Sequence, residues 1–213
     1  MNANIQLLIG LAMGLNLLAL GSSRLPNLIR TMSAQGVILG VMPVLMEHEL
    51  DWRIVLVALA TIAGKGLIIP ALLRRAMRAA SIDRELQPLI GFVPSLLLGA
   101  AGTIAALALT EILPLLPEHQ GSLLVPGALA TLGTGFILMI GRTKAISQVC
   151  GYLILENGIY LFGLLLIESM PLLVEGGVLL DLTVGVFIIG IIVDRIQRTF
   201  DSLDTRKLTA LRE

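Results

Sequence analysis

The chain consists of long apolar stretches separated by short polar connections. Seven such stretches can be drawn, most of them near the ~20 apolar residues that a helix needs to cross a bilayer. Because backbone N–H and C=O groups inside a bilayer must pair within their own segment, we expect each stretch to be a helix. The second stretch is short unless it begins near Asn27, and a tilted or partly interfacial helix is the alternative there. The predicted spans are residues 5–20, 33–45, 53–73, 89–112, 122–140, 145–167 and 172–193.

The composition supports an all-α integral membrane protein. Hydrophobic residues make up 56 % of the chain and charged residues 14 %, whereas soluble domains carry about 25 % charged residues. The mean hydropathy is +0.92. The formal net charge is zero, so no general basic surface for nucleic acid is expected. Cys150 is the single cysteine, which excludes an internal disulfide and a CxxC metal motif.

The charges of the connections alternate along the chain. Basic residues dominate the first, third and fifth connections and the C-terminal tail, whereas acidic residues dominate the second, fourth and sixth. Loops rich in Lys and Arg stay on the cytoplasmic side, so we expect an external N-terminus and a cytoplasmic C-terminus. This alternation requires an odd number of spans, which favours seven over six.

The order of the predicted spans divides the chain into four parts. Residues 1–80 form an N-terminal three-helix unit, 81–120 a linker helix, 121–195 a second three-helix unit and 196–213 a cytoplasmic tail helix. A single linker span would give the two units opposite orientations, as in an inverted repeat. A likeness in apolar composition alone is the alternative.

Small residues recur at four-residue spacing in most of these spans. This spacing lines one helix face and allows two backbones to approach closely. The stripe through Gly177 and Gly185 also contains Asp181, which it would place on a packed face. Other examples are Gly10 with Gly14, Gly36 with Gly40, Ser95 with Gly99 and Thr103, and Gly127 with Thr131 and Gly135.

Three ionisable residues, Lys65, Glu156 and Asp181, lie near the middle of predicted spans. A charge at the centre of a bilayer costs roughly 2.5–3.5 kcal/mol, so such residues indicate the binding or movement of an ion. For Glu156 the alternative is a neutral acid held by a tyrosine. For Lys65 and Asp181 it is a structural ion pair that only fixes helix packing.

Further polar residues accompany two of these charges. Gln148, Tyr152 and Tyr160 lie at four-residue steps from Glu156, and such positions share a helix face. Asn157 follows directly, and Thr61 lies one turn before Lys65. The sequence therefore predicts a polar stripe that holds water and passes protons. We identify no catalytic motif and no metal-ligating motif.

The segments QVCGYLILENGIYLFGLLL, LLVEGGVLLDLTVGVFIIGIIVDRI and FDSLDTRKLTALRE resemble component E of hydrogenase-4. This family comprises membrane subunits of formate-hydrogenlyase-type, group 4 nickel–iron hydrogenase complexes. The most specific motif is GYLxLENG at residues 151–158, and GKGLIIPALLRRA at 64–76 also fits. The last three predicted spans also resemble the K subunit of respiratory complex I and the C subunit of multisubunit Na⁺/H⁺ antiporters.

The resemblance implies that the chain couples hydrogen evolution to the movement of protons or cations. It implies protonation sites at Glu156 and Asp181, and Lys65 would continue their path. It also implies that no cofactor is bound by this chain, that partner subunits carry nickel–iron and iron–sulfur centres, and that antiporter-like membrane subunits and a soluble arm assemble with it. The location would be a bacterial or archaeal cytoplasmic membrane. A structural subunit that moves nothing and an antiporter subunit are the alternatives.

Overall fold

The computed structural model describes residues 3–46, 52–79, 83–85, 87–114 and 121–165, with eight separate positions between 176 and 190. Over these residues the fold is helical, apart from one isolated antiparallel bridge between Arg24 and Arg84. One helix runs without a break over Trp52–Ala79 and contains a π-helical segment in its middle. The elements are α1 (Ala3–Gly21), α2 (Leu25–Met46), α3 (Trp52–Thr61), the π segment (Ile62–Ile68), α4 (Ile69–Ala79), α5 (Phe92–Ile112), α6 (Leu124–Gly141) and α7 (Ala145–Leu164).

In the part of the chain that the structure describes, five helices are long and apolar enough to cross a membrane, namely α1, α2, the continuous helix Trp52–Ala79, α5 and α6. This confirms an all-α membrane protein. Helix α7 is also 20 residues long, but polar residues such as Glu156 and Asn157 lower its hydropathy, and it packs inside the bundle against α6 and α2. Asp181 and the tail 196–213 lie outside the described residues, so seven spans remain a prediction.

Two helix boundaries differ from the predicted ones. Helix α2 begins at Leu25, well before Ser33, because the polar side chains of Asn27 and Arg30 are exposed on its first turns. Helix α4 continues to Ala79 because its arginines lie on partly or fully exposed positions, whereas Leu73, Ala76 and Met77 are buried. In both places an amphipathic turn extends a helix beyond its apolar stretch.

Helices α6 and α7 approach each other closely through glycines. A Cβ added at Gly135 would lie 2.6 Å from the backbone nitrogen of Leu155, and one at Gly158 would lie 2.7 Å from that of Leu132. Contacts below 3 Å with backbone atoms leave no room for a methyl group. The small-residue spacing predicted for Gly135 is therefore a packing device, as in other membrane bundles.

Replacing Gly158 by alanine is expected to destabilise the protein by about 1–3 kcal/mol, because α6 must move away from the new methyl group. The control is Gly133→Ala on α6, where nothing described lies within 4 Å of an added Cβ. That change should be neutral or stabilising, since alanine favours helix. A thiol-reactive fluorogenic probe can follow unfolding, because Cys150 is the single cysteine and is fully buried. Equal unfolding midpoints for the two variants would contradict the prediction.

Three connections meet at one end of the bundle. The N–H of Leu25 donates to the carbonyl of Asp83 at 3.1 Å, and that of Ile90 donates to the carbonyl of Gly141 at 3.1 Å. The α1–α2, α4–α5 and α6–α7 connections thus share a side, as alternating spans require. They are the connections predicted to be basic, and their cytoplasmic placement remains a prediction.

Arg142, in the connection after α6, joins several helix ends at this side of the bundle. Its side chain is 1 % exposed. Its Nη1 donates to the carbonyl of Ile90 at 3.0 Å and its Nη2 to the carbonyl of Leu20 at 2.6 Å. The guanidinium carbon lies 4.4 Å from the centroid of the Phe92 ring. A residue that the sequence presents as a loop charge therefore fixes the ends of α1, α5 and α6.

Glu85 forms a second polar contact at this end. Its Oε1 accepts a hydrogen bond from Thr143 Oγ1 at 2.6 Å, and its Oε2 accepts from Ser147 Oγ at 2.8 Å and from the N–H of Lys144 at 3.2 Å. Burial alone would raise the pKa of this carboxyl group. The hydrogen bonds from Thr143, Ser147 and the backbone outweigh burial and lower the pKa below its ordinary value of 4.5.

The lowered pKa predicts a pH-dependent contribution to stability. A carboxyl group whose pKa falls on folding stabilises the folded state above its unfolded pKa, and this contribution is lost as the pH falls through the folded pKa. We therefore expect wild type to be more stable than Glu85→Gln at pH 7, with a difference that shrinks below about pH 4.5. The Cys150 probe cannot report reliably in acid, so circular dichroism is the measurement. A difference that grows in acid would contradict the assigned direction.

Candidate functional site

The site is built around an irregular turn in the third long helix. In the π segment the N–H of Ile69 reaches back to the carbonyl of Gly64, five residues earlier, which widens the turn. The hydroxyl of Ser33 on α2 donates to the carbonyl of Gly66 at 2.7 Å. Helix α2 packs closely here, because a Cβ at Gly36 would lie 2.8 Å from the Cβ of Lys65.

Lys65 lies at the centre of this segment and is 5 % exposed. Its Nζ donates to Asn157 Oδ1 at 3.2 Å and lies 5.9 Å from the centroid of the Tyr160 ring, within reach of a cation–π interaction. Both partners are on α7. The structure thus brings together three residues that the sequence predicted from two distant segments.

Glu156 precedes Asn157 on α7 and is buried. A Cβ added at Gly185 would lie 3.9 Å from Glu156 Oε2 and 3.6 Å from Leu153 Cδ2. The backbone at Gly185 therefore passes beside the Glu156 carboxyl group. Asp181, one helical turn earlier in the sequence, lies outside the described residues.

The other predicted polar residues divide into two groups. Tyr160 is buried, and Tyr152 is partly buried against an apolar cluster. Gln148 is exposed at the start of α7, where its Nε2 donates to the carbonyl of Arg142 at 2.9 Å. The buried part of the stripe therefore ends before Gln148.

Thr61 is buried just before the π segment. Its hydroxyl donates to the carbonyl of Val57 at 2.9 Å, within its own helix. Its methyl group lies 3.4 Å from where a Cβ at Gly40 would stand. Thr61 thus contacts α2 through its methyl group.

A chain of buried polar side chains continues from Asn157 across the bundle. Asn157 Nδ2 donates to Gln35 Oε1 at 3.3 Å, and Gln35 Nε2 donates to Asn16 Oδ1 at 2.9 Å. Asn16 Nδ2 donates to Thr131 Oγ1 at 2.9 Å, and this hydroxyl donates to the carbonyl of Gly127 at 2.7 Å. All four polar side chains are at most 2 % exposed. We call Asn157, Gln35, Asn16 and Thr131 the amide chain.

Among these four residues the sequence predicted a site role only for Asn157, and it assigned Thr131 to a helix-packing stripe. The missed signal is an amide inside an apolar helix, as in LAMGLNLLAL around Asn16 and TMSAQGVILG around Gln35. An unpaired amide in an apolar medium costs several kcal/mol, so a buried one predicts a partner.

The arrangement places an amine and a carboxyl group in the bundle core. Lys65 on the third long helix and Glu156 on α7 are both buried, and Asn157 links the two helices through its hydrogen bond from Lys65. Among the described residues no group of three or more His, Cys, Asp or Glu side chains could hold a metal ion.

The chain is 34 % identical to the uncharacterized protein Rv0085 of Mycobacterium tuberculosis over 220 residues, which cover 100 % of this chain and 99 % of that protein. It is 30 % identical to hydrogenase-4 component E of Escherichia coli over 152 residues, which cover 70 % of this chain and 68 % of that protein. The chain belongs to the hydrogenase-4 component E family. A Shigella flexneri member of that family matches equally. No family model and no solved structure matches the chain.

Membership in the component E family confirms the resemblance drawn from the motif GYLxLENG. In this family member the motif occupies the middle of α7, where it supplies Glu156 and Asn157. Its two outer glycines are the close contacts with α6, since a Cβ at Gly151 would lie 2.9 Å from the Met139 backbone nitrogen. The motif therefore combines helix packing with the polar site.

Proposed function

We propose that this chain is a membrane subunit of a hydrogenase-type complex and that it carries part of the path by which the complex moves protons or cations. Family membership supports the first half. One observation carries the second half: a buried lysine on one helix is hydrogen-bonded to the residue next to a buried glutamate on another. In this proposal Glu156, Asp181 and Lys65 take up and release protons.

Apolar side chains at the positions of Lys65 and Glu156 would pack in the bundle core at a lower free-energy cost than ionisable ones. Each ionisable residue at the centre of a bilayer costs roughly 2.5–3.5 kcal/mol relative to an apolar one. Replacing buried ionic groups by well-packed apolar groups is often neutral or stabilising in other proteins. A carboxyl group and an amine placed in the bundle core therefore serve chemistry better than they serve stability.

The partners in this proposal supply the redox chemistry. Nickel–iron and iron–sulfur centres in a soluble arm would evolve hydrogen, and antiporter-like membrane subunits would continue the ion path. The complex would lie in a bacterial or archaeal cytoplasmic membrane, with the N-terminus of this chain outside and the C-terminus inside.

One observation favours a structural role instead. Lys65 donates to Asn157, which itself belongs to the amide chain, and such a buried hydrogen-bonded network can hold helices together without moving an ion. In that reading the chain tethers its partners and no proton passes through it.

The membership half is tested by purifying the complex through a tag on this chain and identifying its subunits by mass spectrometry. We expect a nickel–iron large subunit together with antiporter-like membrane subunits. Recovery of antiporter subunits without any hydrogenase subunit would assign the chain to a Na⁺/H⁺ antiporter. The translocation half is tested with the Glu156→Gln variant described in the Discussion.

A further inference from the structure

We propose that the amide chain is a positioning device: Asn157, Gln35, Asn16 and Thr131 hold the ammonium group of Lys65 in place and close the proton path on the α1–α6 side. This inference rests on the proposed function only where it speaks of a proton path. The positioning itself follows from hydrogen-bond polarity.

The two ends of the chain fix the direction of every hydrogen bond in it. An ammonium group can only donate, so Asn157 must present its oxygen to Lys65 and its NH₂ group to Gln35. By the same reasoning Gln35 and then Asn16 each accept a hydrogen bond through the oxygen and donate one through the NH₂ group. Thr131 accepts the last of these bonds, from Asn16. At the far end the carbonyl of Gly127 can only accept. All the side-chain oxygens therefore point toward Lys65 and all the donors point away from it.

This alignment stabilises the positive charge. Bonds in such a row polarise one another, so each amide strengthens the bond before it. The row lies in the bundle core, with every member at most 2 % exposed, and little water competes there. A break at Gln35 or Thr131, which lie one and three hydrogen bonds beyond Asn157, is therefore expected to loosen the contact at Lys65.

The same chain does not pass protons onward. An amide has no group that titrates in the pH range of proteins, so a proton that reaches Lys65 cannot leave through Asn157, Gln35 and Asn16. The open direction is the α7 face that carries Tyr160 and Glu156. Among the described residues of α7, Glu156 and Tyr160 are the titratable side chains that lie nearest to Asn157 in the sequence.

The test measures how fast the Lys65 ammonium hydrogens exchange with water, by nitrogen-15 NMR of the full chain in lipid vesicles at fixed pH. The chain has only three lysines, Lys65, Lys144 and Lys207, so lysine-selective labelling gives few signals. Lys65→Met identifies the signal by its loss. Slow exchange is expected for the wild type.

Two variants interrupt the chain beyond Asn157. Gln35→Met removes the hydrogen bonds of Gln35 with Asn157 and Asn16. Thr131→Val removes those of Thr131 with Asn16 and with the carbonyl of Gly127, and in each variant an apolar group of similar size takes the place of the polar one. Exchange at Lys65 is expected to become roughly three- to tenfold faster, which corresponds to the loss of one hydrogen bond. The control is Thr134→Val, since Thr134 is an equally buried threonine on α6 that lines the cavity toward α5.

A conservative variant tests for rescue. A neutral glutamic acid at position 35 offers one acceptor and one donor, which are enough to accept from Asn157 and to donate to Asn16 as Gln35 does. Gln35→Glu should therefore keep exchange within about twofold of wild type, whereas Gln35→Met should not. A purely steric role for Gln35 would give the two variants the same exchange rate, and that result would overturn the proposal.

Comparison with the assembled complex separates this inference from the proposed function. Faster exchange together with reduced translocation in Thr131→Val supports both. Faster exchange with unchanged translocation supports the positioning and removes Lys65 from the path. Exchange that is the same in Thr131→Val and Thr134→Val overturns the positioning, whatever the translocation assay shows.

Discussion

Replacing Glu156 by glutamine is expected to reduce proton translocation by the assembled complex at least about tenfold. Glutamine has nearly the same shape and keeps a hydrogen-bonding oxygen, but it cannot release a proton. The bundle should therefore insert and assemble normally while the path is interrupted. The measurement is proton movement per hydrogen evolved, in vesicles that contain the purified complex.

The matched control is Glu111→Gln. Glu111 lies exposed at the end of α5, so the same substitution there removes a carboxylate outside the core. Translocation should remain at the wild-type level. If Glu156→Gln also pumps like wild type, and the complex contains the variant subunit in full amount, the carboxyl group of Glu156 carries no proton. If Asp181→Asn pumps like wild type as well, the tethering role is favoured.

Replacing Arg142 by methionine is expected to destabilise the protein by about 3 kcal/mol or more. The guanidinium group is the hydrogen-bond donor to the carbonyls of Leu20 and Ile90, and each buried group left unpaired costs about 1–3 kcal/mol. The stacking contact with Phe92 is lost as well. The unfolding midpoint, followed through the thiol of Cys150, should fall strongly.

Two further variants show whether the geometry or the charge matters. Lys144→Met removes a charge from the same connection but keeps the backbone N–H that donates a hydrogen bond to Glu85. Little change in the unfolding midpoint is therefore expected. Arg142→Lys keeps a charge but loses the planar fork and the stacking, and its stability should fall between wild type and Arg142→Met. A lysine variant as stable as wild type would contradict the role assigned to the two hydrogen bonds.

The sequence predicted the helices well because their signal is local. Runs of apolar residues mark α1, α5 and α6 within a few residues. The apolar stretch alone placed the start of α2 at Ser33, because its first turns are amphipathic, and the alternative start near Asn27 lies within two residues of Leu25. The π segment has no signature in the hydrophobic pattern, since it shifts the backbone hydrogen bonds without changing which residues are apolar.

The candidate site was predicted only as far as charge reveals it. Lys65 and Glu156 stand out because an ionisable group in an apolar helix is costly. The pairing of Asn16 with Thr131 joins residues 115 positions apart, and no local pattern relates them. Arg142 was overlooked as a site of stability because a basic residue in a connection is usually solvated, whereas here the chain folds over it.

The amide chain also limits how the bundle can move. A helix that slides by one turn shifts its side chains by about 5.4 Å, which is more than a hydrogen bond of about 3 Å can follow. The four helices α1, α2, α6 and α7 therefore cannot slide lengthwise past one another unless the hydrogen bonds that join Asn157, Gln35, Asn16 and Thr131 break. With these bonds in place, a conformational change of this subunit must proceed by side-chain rotation or by movement of helices that the amide chain does not join, such as α5.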